Sequence, residues 1–149
     1  MGLTSTSGGE RTATTSRLIG GNQGRGMMDR TFVWIVSAVI GLFGVFYLVS
    51  PTTLTASAGI SSDASGLTDL RATYGGFQIG IAMFLAWCTR SHVSLGLLLT
   101  TFVIGAVLLS RVAGLLMDGS LTSFHLGALT FEAPTTALAL WLYSRSSNA

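Results

Sequence analysis

The chain has 149 residues, of which 49% are apolar and only 9% charged, with a formal net charge of +2. A soluble domain carries about a quarter of its residues as charged side chains, so this surface cannot face water on all sides, and the composition belongs to the membrane class. So small a net charge does not point to nucleic acid. The single cysteine, Cys88, excludes an intramolecular disulfide and a Cys-based metal site.

The opening stretch MGLTSTSGGERTATTSRLIGGNQGRG is rich in Ser, Thr and Gly and has no apolar periodicity. Its composition predicts a disordered cytoplasmic tail over residues 1–30. A signal peptide does not fit, because the apolar run starts after residue 31 and no small-residue cleavage site follows it closely. Gly2 with Thr6 matches a myristoylation pattern that is short and arises by chance. Within MMDRTFVW, Met27 or Met28 offers an alternative start that would leave a compact membrane protein.

Four apolar segments follow. Residues 32–49 are uncharged and end at Pro51; residues 72–89 follow Arg71; residues 93–110 precede Arg111; residues 124–143 contain Glu132. Each is about 18–20 residues, the length needed to cross a hydrocarbon core of roughly 30 Å. Four long continuous segments fit helices, not a barrel. The expected fold is therefore all-α, a polytopic four-helix transmembrane bundle over residues 31–145. The third segment can run on through VAGLLM to a stop at Asp118-Gly119, with Ser120 or Thr122 capping the fourth.

Orientation follows from the arginines. With a cytoplasmic N-terminus, Arg11, Arg17, Arg25, Arg30, Arg90 and Arg145 lie inside, and only Arg71 and Arg111 lie outside. The positive-inside rule then places both termini in the cytoplasm. Trp34, Trp87, Trp141 and Tyr143 fall near the cytoplasmic interface, where amphipathic rings are favoured.

Helical spacing gives the second segment two special faces. Ala72, Gly76 and Gly80 recur every four residues, a small ridge that lets a neighbouring helix approach, with Gly41 and Gly44 of the first segment as one candidate partner. Arg71, Tyr74 and Gln78 share the opposite side. In the fourth segment His125, Ala128, Glu132, Thr136 and Ala139 share a face. A lone carboxylate in hydrocarbon is protonated or paired, and Arg71 and Arg111 are the cations on its side. Pro134 removes the partner of the Thr130 carbonyl, which adds a free acceptor within one turn of Glu132. Arg71, Tyr74, Gln78, Arg111, Asp118, His125 and Glu132 thus form a candidate cluster, read either as an ion pair locking helix register or as a ligand or proton site. The two histidines, His92 and His125, fall at opposite ends and cannot share a metal or haem.

The stretch PTTLTASAGISSDASGLTDLRATYGGFQIGIAMF resembles the first half of a bacterial family of small four-helix membrane proteins, domain of unknown function 4345. The resemblance rests on the Pro51 stop, Leu70-Arg71-Ala72, Tyr74-Gly75-Gly76 and the apolar run after them, then on Arg111, Asp118-Gly119 and Glu132. It spans roughly residues 30 to 145 and implies the four-helix fold, with no activity attached. A more distant likeness is to DoxX-like four-helix proteins, although this chain has no CxxC.

No nucleophile–base pair, phosphate loop or metal cluster stands out, so neither an enzyme nor a cofactor is expected. The expected role is that of a non-catalytic accessory or self-associating subunit in a bacterial inner membrane, in contact with lipid and with copies of itself or another membrane protein. The alternative is a carrier or sensor of a small solute or protons that uses the Arg/Glu cluster.

Overall fold

An apolar chain of this length must satisfy its backbone hydrogen bonds internally. In the computed structural model it does so as helix. The structure describes residues 9–57, 59, 61, 63–119 and 121–147, with side chains from residue 26 onward except those of 54, 57 and 147. In chain order the elements are α1 (Gly9–Val49), α2 (Pro51–Ser57), α3 (Ala64–Leu70), a π-helical segment (Arg71–Gly76), α4 (Phe77–Ser91), α5 (Val93–Asp118) and α6 (Ser123–Ser147). No strand occurs among the described residues. Among the described residues two stretches are long and apolar enough to cross a membrane, Gly26–Val49 within α1 and Val93–Asp118. The other two expected spans fall short of that standard. α4 has only 15 residues after the π segment, and Glu132, Pro134 and several threonines dilute the apolar character of the 25-residue α6.

The breaks have local causes. Pro51 has no N–H and a fixed φ, so it suits the first turn of a helix and starts α2 with only Ser50 between it and the end of α1. Asp63 caps α3, its carboxylate accepting from Gly66 N at 2.8 Å. α5 runs past residue 110 and stops where the sequence offers a stop: Gly119 has φ +67°, a left-handed conformation that costs glycine little. Thr122 then caps α6, its hydroxyl accepting from His125 N at 3.4 Å. Ser120, the other cap candidate, lies outside the described residues. α1 begins at Gly9, within the segment read as a disordered tail. Residues 1–8 of that segment lie outside the described residues, and of residues 9–25 only the backbone is described.

α3, the π segment and α4 run on without a break, since the residues at both junctions keep right-handed helical angles. Phe77 N–H donates to the Ala72 carbonyl, five residues back. A π turn holds more residues than an α turn, so it rotates every later side chain relative to an ideal wheel. The consequence is visible in the small residues. Gly75, not Gly76, is the buried one, and a Cβ there would lie 3.1 Å from Leu48 N. A Cβ on Gly44 would lie 2.9 Å from the Gly75 carbonyl oxygen, and one on Gly41 would lie 3.3 Å from Ala82 Cβ. The close crossing of α1 is therefore with Gly75, Ile79 and Ala82. Ala72, Gly76 and Gly80 are exposed, and nothing lies within 4 Å of a Cβ at Gly80. The expected ridge points away from α1.

α1 packs along α4 and the π segment, α5 packs along α6, and α4 and α1 both touch α5. Val33, Val36, Ile40, Leu85, Leu97, Ile104 and Leu142 form the buried core, which joins all four long helical stretches. One polar tie crosses this core: the Ser37 hydroxyl donates to the Ala82 carbonyl at 2.7 Å.

Candidate ion-pair site

The carboxylate of Glu132 is buried on α6, and Arg111 of α5 reaches it sideways. Arg111 Nε donates to Oε1 at 3.1 Å and to Oε2 at 2.9 Å, while NH2 donates to Oε1 at 2.7 Å. The fork is bidentate, the strongest geometry for this pair. The Arg111 side chain is 20% exposed and that of Glu132 is 7%. Arg111 NH1 lies 3.3 Å from His125 Nδ1. Guanidinium nitrogen only donates, so Nδ1 accepts and the ring proton sits on Nε2. The guanidinium carbon also stands 5.9 Å from the centre of the Phe124 ring.

α1 and the π segment complete the cluster. Tyr47 is half-buried, lies within electrostatic range of Arg111 and stacks on Tyr74 at 5.2 Å between ring centres. Four helical stretches therefore meet at one polar level. The sequence reading placed Tyr74, Arg111, His125 and Glu132 together, and the structure brings them to that level. It does not bring Arg71 there. Arg71 Nε donates to the Leu48 carbonyl at 3.2 Å, one of the last carbonyls of α1, where a cation also suits the helix dipole. Asp118 is exposed at the end of α5 and makes no ion pair with a described residue. Gln78 is half-buried; its Oε1 is buried and without a partner among the described residues, as is the hydroxyl of Thr136. Among the described residues no group of three or more His, Cys, Asp and Glu could hold a metal.

A second ion pair, not anticipated, closes the opposite end. Arg145 NH2 donates to Asp29 Oδ1 at 2.8 Å, joining the start of the first span to the end of α6. The guanidinium lies over the Trp141 ring at 4.6 Å. Trp87 stacks on His92 at the same end, 4.8 Å between ring centres, and Ser94 lies 3.4 Å from Ser146. The available signal was the position of Asp29, the acid just before the first apolar run, matched by Arg145 just after the last. Tyr47 was missed because it sits among apolar residues that give it no polar face.

The family described as domain of unknown function (DUF4345) matches residues 28–143, which hold both polar levels apart from Arg145 and Ser146. The chain belongs to this family. No curated protein matches the chain, and no solved structure does.

Proposed function

We propose that the protein is a four-helix transmembrane bundle of a bacterial inner membrane, both termini cytoplasmic, acting as a non-catalytic, self-associating or accessory subunit. The observation that carries this reading is the outer surface. Phe43 and Phe46 on α1, Phe77 and Met83 on α4, Phe102 and Leu109 on α5, and Leu138 and Leu140 on α6 all stand exposed. Exposed apolar side chains on every long helix suit hydrocarbon and would aggregate in water. The most buried charged side chains, Glu132 and Asp29, meanwhile each pair with an arginine, one at either end of the bundle, as charges within a membrane must. The exposed ridge of Ala72, Gly76 and Gly80 supports close approach by a further helix. Purification in a mild detergent or nanodiscs, with mass determination and identification of everything bound, tests the reading. The expected result is a discrete oligomer or a stoichiometric partner. A monodisperse monomer carrying no partner overturns it.

A second reading, a carrier or sensor of a small solute or protons, is favoured by one specific observation. Gln78 Oε1 and Thr136 Oγ1 are buried polar atoms without partners among the described residues, and Thr136 follows Glu132 by one helical turn. Buried polar atoms are normally hydrogen-bonded, so each such exception calls for an explanation.

A further inference from the structure

Three buried side-chain atoms lack a hydrogen-bond partner among the described residues; Arg145 Nε lies at the opposite end, and the other two, Gln78 Oε1 and Thr136 Oγ1, can be placed relative to the Arg111–Glu132 pair. Cys88 and Gly96 touch where α4 turns into α5, a Cβ on Gly96 lying 3.1 Å from Cys88 Cβ. At 1.5 Å per residue, Gln78 stands ten residues up α4 from that point and Ala106 ten residues along α5. Gly105, beside Ala106, meets α6 at Thr136, whose Cγ2 would be 3.2 Å from a Cβ on Gly105. Gln78 and Thr136 therefore lie at one depth. Thr136 is also four residues after Glu132, directly below it on the inward face of α6. One acceptor, the Thr136 hydroxyl, thus stands one turn deeper than a carboxylate that donates nothing, with the Gln78 amide oxygen at the same depth on α4.

Charge balance restricts what can enter beside this carboxylate. Arg111 and Glu132 cancel, so a bare anion or a bare cation would leave the site with an uncompensated buried charge. A carboxylic acid that arrives with its proton brings no charge. We propose that the Arg111–Glu132 pair is a binding site for a small monocarboxylic acid taken up together with its proton, a deepening that rests on the second reading above. In the binding step the acid's O–H bond breaks and its proton joins a Glu132 carboxylate oxygen. The new carboxylate then takes the Nε and NH2 donors of Arg111. The protonated Glu132 swings down and donates its O–H to Thr136 Oγ1, one turn along the same helix. Arg111 keeps a carboxylate partner throughout; His125 of α6 holds its NH1 edge in place, and Tyr47 of α1, stacked on Tyr74, is the other titratable group that faces it. Reference carboxyl pKa values all lie near about 4, so exchanging one carboxyl for another is close to neutral in energy.

The test uses the full chain in nanodiscs, with propionate as the probe and equilibrium binding measured from pH 5.5 to 7.5. Binding of one anion with one proton weakens about tenfold per pH unit over this range. Wild type is expected to bind saturably at pH 5.5 with that slope. Glu132→Gln cannot take the proton and leaves Arg111 unpaired, so it should bind propionate with no pH slope. The double variant Arg111→Gln/Glu132→Gln buries no charge, remains folded and should not bind. The proposal is overturned by absence of saturable wild-type binding at pH 5.5, by a flat pH profile, by a wild-type slope in Glu132→Gln, or by binding to the double variant. Melting temperature over the same pH range separates this failure from that of the broader reading. A pH dependence of wild type that disappears in Glu132→Gln sustains a proton sensor even if propionate does not bind, and its absence overturns both.

Discussion

Glu132 lies on a helix whose neighbours in sequence are Phe131 and Ala133, yet it accepts three hydrogen bonds from one guanidinium. Replacing it by Gln leaves Arg111 charged in a largely buried place. Breaking a buried pair costs about 3–5 kcal/mol, and the partial exposure of Arg111 puts this one at about 3 kcal/mol. Unfolding at neutral pH in one detergent, without added ligand, should show that loss in Glu132→Gln. An added Arg111→Gln should recover part of it; a double variant no more stable than the single would show that pairing is not what Glu132 supplies. The need for a partner was legible in the sequence, because an acid in an apolar run cannot stand alone. The choice between Arg71 and Arg111 was not. It depends on the orphan carbonyls at the end of α1, which bind Arg71 and are invisible in a helical wheel.

At the scale of elements, the wheel failed for a related reason. The spacing of Ala72, Gly76 and Gly80 assumes 3.6 residues per turn, and the π segment from Arg71 to Gly76 breaks that count just where the ridge begins. Nothing in the side chains of RATYGG announces the change. The stop at Gly119, by contrast, needed only a glycine in the right place and was readable. The corrected crossing gives a contrast between glycines of one helix. Gly75→Ala should destabilise by about 1–3 kcal/mol, because its new methyl group meets the Leu48 backbone at 3.1 Å. Gly80→Ala meets nothing within 4 Å and should gain up to about 1 kcal/mol from helix propensity. Melting of the two variants side by side checks the assignment; equal losses would return Gly80 to the packed face. Gly80→Leu is the associated test of self-association. It should lower the mass of the detergent-solubilised particle without lowering helicity by circular dichroism.

Across the whole molecule, the start of the first span, the α4–α5 turn and the end of α6 gather at one end, with the α2–α3 region and the α5–α6 turn at the other. With the arginine asymmetry this predicts a definite labelling pattern. After Cys88→Ala, cysteines placed at Ser61 and Leu121 should react with an impermeant reagent added outside the cell, and one at Ser146 should not; the reverse pattern would invert the topology. The two ion pairs differ in one further respect, the stretch of chain that each closes. Arg111 and Glu132 are 21 residues apart, and Asp29 and Arg145 are 116 apart. The first pair closes within the single α5–α6 hairpin, so that hairpin can form as a unit already neutral inside. Asp29 has no such early partner. Its partner lies on α6, so this pair can close only once α1 and α6 have come together.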